Sequence, residues 1–211
     1  MNKTSIIGVI GLAGAGKDTI GQYLIDQYNY QRDSFAQPLK DAVASIFCWP
    51  RELMEGSSTE SRLWREQKDE FWSEIFEKDI TPRWALQQLG TDILRVHLHQ
   101  GLWIHSMKRR VTEKINNNQK ICITDVRFKN EIDAIRDLGG IVINVKRGGD
   151  PVWMDDARLA NNGDENARDR LNNQWKVHES EWAHVGIEMD YIVDNNSNAE
   201  TLFEKIDKIV G

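Results

Sequence analysis

The run GLAGAGKDT, Gly11 to Thr19, constrains the fold more than any other stretch. It reads Gly-x-x-x-x-Gly-Lys, the spacing of a phosphate-binding loop. Its glycines let the backbone fold inward, so that successive N–H groups converge on one anion. Such a loop works between a strand and a helix, and both are legible here. SIIGVI, Ser5 to Ile10, is an apolar, β-branched run that predicts a buried parallel strand. After the loop, Ile20, Tyr23, Leu24 and Tyr28 recur at helical spacing. No dinucleotide signature G-x-G-x-x-G can be read through these glycines.

The loop residues Ala13, Gly14, Ala15, Gly16, Lys17, Asp18 and Thr19 are therefore the candidate ATP-binding set. The positive end of the following helix adds to the backbone donors. Lys17 would neutralise the β- and γ-phosphates. The usual loop continues Lys-Ser or Lys-Thr, but here Asp18 takes the hydroxyl position. A carboxylate is also a hard oxygen ligand for Mg²⁺, so Asp18 is a candidate metal residue. It also favours the helix N-terminus, and the two roles are compatible.

The rest of the chain alternates strands and helices. Tyr30 to Phe35, Lys120 to Thr124, Ile141 to Val145 and Tyr191 to Val193 predict four more short strands. A helix opens at Pro38, another at Thr81-Pro82, and a third runs from Leu102 to Ile115. In the helix after Thr81 the apolar stripe is Trp84, Leu89, Ile93 and Val96. Residues 55–61 read as a mobile loop, and about 62–77 as one polar helix. Residues 148–177 are polar and read as a mobile flap outside the core. Ser197 to Glu200 fits a capping box before the final helix. This alternation predicts an α/β fold, three layers around a five-stranded parallel sheet. Ligands then sit beyond the C-terminal strand ends, where both the glycine loop and Asp125-Val126-Arg127 fall.

Asp125 is a candidate catalytic residue, positioning Mg²⁺-bound water or acting as base toward an alcohol. Arg127, two residues on, is a candidate to hold a phosphate bidentately. Arg83, at a helix N-terminus, is a further phosphate candidate. Arg147, Arg158, Arg168 and Arg170 lie in or beside the flap, where arginines can stabilise transferring charge. A formal net charge of −6 argues against a nucleic-acid polymer as partner. The cluster Lys108-Arg109-Arg110 reads as a solvated helix face. Cys122, in an apolar run, reads as a buried thiol. No stretch is apolar enough for a membrane span, and MNKTSIIGVIG lacks a signal-peptide layout, so a reducing cytoplasm is expected.

Five blocks in order, GLAGAGKDT, FAQPLKDAV (35–43), TPRWALQQLGTD (81–92), ITDVRFKNE (123–131) and HESE (178–181), resemble the deoxynucleoside monophosphate kinases of tailed bacteriophages. The resemblance runs from residue 6 to about 195. It implies an adenylate-kinase-like P-loop domain over 1–211. The core would be about 1–47, 81–147 and 178–211, with an acceptor-binding helical insertion at about 48–80 and a lid at about 148–177. It implies ATP as donor with Mg²⁺, a deoxynucleoside monophosphate as acceptor, and host-cell cytoplasm, and it allows a homodimer. Carried over by motif, Lys40, Arg83 and Arg127 would meet the acceptor phosphate, and Trp84 and Trp153 would wall its base. Phosphomevalonate kinases share the Gly-Lys-Asp ending. A small-metabolite kinase of the same fold, with Asp125 as base, and a non-catalytic nucleotide-binding module are therefore the rival readings.

Overall fold

Every residue of the first strand, β1 (Ile6–Ile10), is buried, as a β-branched run covered on both faces must be. The computed structural model describes residues 4–56 and 58–211. After β1 come α1 (Lys17–Tyr28) and β2 (Tyr30–Asp33). A run of helices follows: α2 (Gln37–Phe47), α3 (Thr59–Trp64), α4 (Glu70–Phe76), α5 (Pro82–Gln87), a π-helical stretch Gln88–Leu98, and α6 (Leu102–Asn116). Then come β3 (Lys120–Ile123), α7 (Lys129–Asp137), β4 (Ile141–Lys146), α8 (Met154–Asn161), α9 (Glu165–Asp169) and α10 (Glu179–Trp182). The chain closes with β5 (Tyr191–Asp194) and α11 (Ala199–Val210).

The five strands form one parallel sheet in the order β2-β3-β1-β4-β5. Helices α1 and α11 cover one face, with Ile20, Leu24, Leu202 and Ile206 packed on Ile7, Val9, Cys122, Ile143 and Val145. Helix α7 covers the other face. Its Ile135 lies so close to β1 that a Cβ at Gly8 would meet its Cδ1 at 2.6 Å, so a side chain there would require Ile135 to shift. The three-layer α/β/α P-loop fold expected from the sequence is thus present. Parallel pairing places all five C-terminal strand ends on one edge, the edge that carries the glycine loop.

The chain divides into two units, residues up to Ser34 with Lys108–Gly211, and Phe35–Met107. The second unit takes in more than the expected 48–80 insertion. Leu39, Val43 and Phe47 of α2 and Ala85 of α5 share one core with Trp49, Met54, Ile80 and Trp103, so these helices go with it. Here the indole N–H groups find acceptors inside the unit: Trp49 donates to Asp69 (2.7 Å), Trp72 to the Phe47 carbonyl (3.0 Å) and Trp103 to the Gly90 carbonyl (3.0 Å).

Several local expectations are corrected. The polar helix at 62–77 is two helices, each capped by its own side chain, Ser58 for α3 and Asp69 for α4. The loop at 55–61 accordingly gives way to α3 from Thr59, and Ser57 lies outside the described residues. The predicted stripe holds at Trp84 and Leu89 and fails beyond them, because the π-helical stretch bonds five residues apart. Leu89 and Leu94 turn to the core while Ile93 and Val96 stay exposed. The final helix is capped by Asn198, accepting from the Thr201 amide, and Ser197 is not its cap. Residues 148–177 are not outside any core. They hold α8 and α9, whose Ala157, Ala160 and Ala167 pack with Leu171, Trp182 and Val185.

The basic run on α6 is also more than a solvated face. Arg110 and Lys114 both donate to the fully buried Asp33 carboxylate at the end of β2, at 2.8 and 2.7 Å. Burial pushes that carboxyl up, but the two cations outweigh it and hold it below its ordinary value of 3.8. The stability this depressed carboxyl contributes is therefore complete above that value and lost as pH falls through the folded pKa. Asp33→Asn is expected to cost about 2 kcal/mol at pH 7, less than the roughly 3–5 kcal/mol of a fully buried pair, since both cations reach water. In urea unfolding the gap between wild type and variant should close below pH 4.

Candidate active site

The phosphate loop is built by backbone. Gly11, Gly14 and Gly16 have φ of +148°, +77° and +110°, the region side chains avoid. A Cβ at Gly16 would also run into the Asn195 side-chain amide. That amide donates to the Ala15 carbonyl at 2.8 Å, while the Asn195 backbone N–H bonds the Lys146 carbonyl at 2.7 Å. The turn between β5 and α11 thus buttresses the loop from outside. Ala13, Gly14, Asp18 and Thr19 are exposed at its rim, and Ala15 is buried beneath it. Helix α1 begins at Lys17, so its first free N–H groups face the loop.

The Lys17 ammonium donates to the Gly11 and Leu12 carbonyls at 2.8 and 3.0 Å. Burial lowers its pKa, and the charge of Arg127 lowers it further; Glu181 and Asp18 act the other way. Lys17, Arg127 and Glu181 therefore lie within electrostatic reach of one another. Arg127 sits on the turn after β3. Glu131, buried in α7, holds that turn by accepting from the Arg127 and Phe128 amides at 2.8 and 3.1 Å. The Arg127 Nη1 donates to Glu181 Oε1 at 2.6 Å and to Ser180 Oγ at 3.1 Å. His178 Nδ1 accepts from the Ser180 amide at 3.2 Å and caps α10.

Asp125 lies two residues beyond the end of β3 and is half-buried. The Asp18 carboxylate is 3.4 Å from the Thr124 hydroxyl and 3.5 Å from Arg32 Nη1, and is 61% exposed. Among the described residues no three His, Cys, Asp or Glu side chains form a metal cage. Mg²⁺ in general binds through one or two carboxylates and substrate phosphates and keeps several waters. The Asp18 carboxylate and the Thr124 hydroxyl are hard oxygen groups at the loop mouth, a donor set that fits such an ion.

A cavity of about 320 Å³ opens beside the loop, between Leu12, Lys146, Arg147, Met154, Arg158 and His184. His184 is buried, which pulls its pKa down to about 4; nearby Lys17, Arg127 and Lys146 add to this against Glu181. The imidazole is neutral at physiological pH. Arg158 is paired with Asp150 and Asp155, and Arg170 with Asp156. Arg168 lies over the Trp182 ring. Trp153 precedes α8 and, like Met154 and Trp175, packs against the cluster of Ala157, Ala160, Leu171 and Trp182; it is not among the residues lining the cavity.

The remaining expected site residues belong to the second unit. Lys40 pairs with Glu55 at 2.7 Å, and Arg83 pairs with Glu66. Trp84 packs against the second core, with the Lys78 ammonium 4.2 Å from its ring centroid.

A family model for deoxynucleotide monophosphate kinase matches residues 54–169. A putative deoxynucleotide monophosphate kinase of Acanthamoeba polyphaga mimivirus is 35% identical over 153 residues, 68% of this chain and 75% of the relative. The chain belongs to the deoxynucleotide monophosphate kinase family. The deoxynucleoside-5'-monophosphate kinase of Escherichia phage T5 is 25% identical, over 66% of this chain and 77% of the relative. Among solved structures, a dephospho-CoA kinase from Campylobacter jejuni aligns over 98% of this chain and 95% of its own, at 15% identity and a TM-score of 0.48. The family match begins beyond the phosphate loop, so the loop rests on its own geometry.

The kinase site also holds residues the sequence did not single out. Arg32 comes from β2, Ser180 and Glu181 from α10, and Asn195 from the turn after β5, and their roles depend on partners far along the chain. HESE was visible as a block, but its partner Arg127 is 54 residues away. Asn195→Ala is expected to weaken ATP binding roughly 3- to 10-fold, the worth of one such hydrogen bond, with the melting temperature little changed. Equilibrium titration with ATP measures it.

Proposed function

We propose that this chain transfers the γ-phosphoryl group of ATP to the 5′-phosphate of a deoxynucleoside monophosphate. The observation that carries the reading is the turn of positive-φ glycines between β1 and α1, with the Lys17 ammonium bonded to its carbonyls and Arg127 within electrostatic reach. Family membership supplies the acceptor class. In this reading Ala13 to Thr19 hold the ATP phosphates. Asp18 holds Mg²⁺, which when bound neutralises phosphate charge, and Asp125 orients water around it. Lys17 and Arg127 stabilise the charge that develops on transfer.

An acceptor phosphate is already ionised near neutral pH, so no general base is required. What the residues supply is positioning and charge neutralisation. Lys40 and Arg83 are proposed to take the acceptor phosphate and Trp84 its base. Each cation is now neutralised by a carboxylate that an incoming phosphate would replace. Arg147 and Arg158, on the cavity wall, are proposed as lid arginines, with residues 148–177 as the lid. Trp153 remains an expectation of the resemblance; its packing in a helical cluster supports a structural role at least as well. The substrates are mononucleotides in an aqueous compartment. Among the described residues no helix is long and apolar enough to cross a membrane.

Two outcomes test the reading. ADP release with Mg-ATP should depend on added dAMP, dCMP, dGMP or dTMP and not on mevalonate phosphate. Tight ATP binding with no acceptor-dependent turnover would leave a non-catalytic binding module instead. Lys17→Ala is expected to lower turnover by at least about 10²-fold with an unchanged thermal transition, since it removes a charge that acts mainly in the transition state.

A further inference from the structure

The contact between α10 and Arg127 has a chemical asymmetry. Both hydrogen bonds from the Arg127 side chain, to Glu181 Oε1 at 2.6 Å and Ser180 Oγ at 3.1 Å, leave from a single nitrogen, Nη1. Among the described residues the Nε and Nη2 donors have no hydrogen-bond partner. Those two point in parallel along one edge of the guanidinium, the edge that grips two oxygens of a phosphate at once. The group is thus clamped at one corner and open along the side that binds anions. The clamp is itself fixed: Ser180 is held by His178, and α10 ends in Trp182, buried among Ala157, Ala160 and Leu171.

We infer that Glu181, assisted by Ser180, is a positioning residue for phosphoryl transfer, holding Arg127 so that its Nε–Nη2 edge faces the transferring group. This rests on the reading that Arg127 meets a phosphate. The charge balance supports it. Lys17 and Arg127 repel each other with no anion present, and the Glu181 carboxylate lies close enough to offset both. An ion pair serving stability alone would be worth little here, because Arg127 is 43% and Glu181 31% exposed. The orientation it imposes is the larger effect.

The test uses the full chain with Mg-ATP and its best deoxynucleotide. Glu181→Ala should lower kcat about 10- to 100-fold while ATP affinity stays within about twofold and the melting temperature barely moves. Ser180→Ala should show a smaller loss of the same kind. Should the alanine variant at 181 fold poorly, Glu181→Gln carries the comparison, since it keeps an acceptor oxygen and loses only the charge. The deciding measurement is a double-mutant cycle with Arg127→Ala. Once Arg127 is gone, Glu181→Ala should cost nothing further. Added guanidinium should restore turnover to Arg127→Ala when Glu181 is present, and should fail in the double variant.

A kcat for Glu181→Ala within twofold of wild type overturns the inference. So does a loss that simply multiplies that of Arg127→Ala. The two readings separate cleanly. If Arg127→Ala keeps full turnover, the role of Arg127 in transfer is wrong and the positioning role falls with it. If Arg127→Ala is impaired and Glu181→Ala is not, only the positioning role fails.

Discussion

Two cations held near each other, over a loop whose amides also present positive charge, are unstable without an anion. Most of the first unit can be understood as the framework that keeps Lys17 and Arg127 there all the same. Parallel strands bring the loop and the turn after β3 to the same edge of the sheet. Lys17 is tied down by the carbonyls of its own loop, Arg127 by a carboxylate arriving from α10. The burial that lowers the Lys17 pKa also strengthens any attraction to a phosphate placed before it.

The second unit solves a different problem. Its helices are short and several are polar, so propensity alone would not hold them. The remedy is aromatic. Trp49 stacks on Phe47, Trp72 meets Phe47 edge-on, and the indole nitrogens fasten the rings to neighbouring carbonyls and to Asp69. The tryptophans that stand out in the composition are therefore mainly the structural core of a small unit. Trp84, packed against that cluster, has Phe76 edge-on to it and the Lys78 ammonium over its ring.

The parts of the fold readable from sequence were those with an uninterrupted local signal. β1, the glycine loop and α1 are marked by a change from a continuous apolar run to helical spacing, with glycines between. β3, β4 and β5 are short β-branched runs of the same kind. Residues 148–177 were misread because their packing rests on alanines, which carry little apolar signal yet let α8 and α9 close tightly around Leu171 and Trp182. The π-helical stretch defeats a period of 3.6 by construction. In the site, residue types were legible and pairings were not. Asp33 meets Arg110 and Lys114 across 77 and 81 residues, and no local pattern announces such a pair.

The two cysteines differ in a way that follows from where they sit. Cys122 faces α1 inside the sheet layer, and burial pushes its thiol up to about 11, which leaves almost no thiolate at neutral pH. Cys48 ends α2 with φ of +54° and its side chain exposed. A thiol-reactive probe will therefore label the native protein at one place, on the second unit, and leave the unit with the phosphate loop unmodified. The chain carries its own single handle for spectroscopy, with no cysteine to remove.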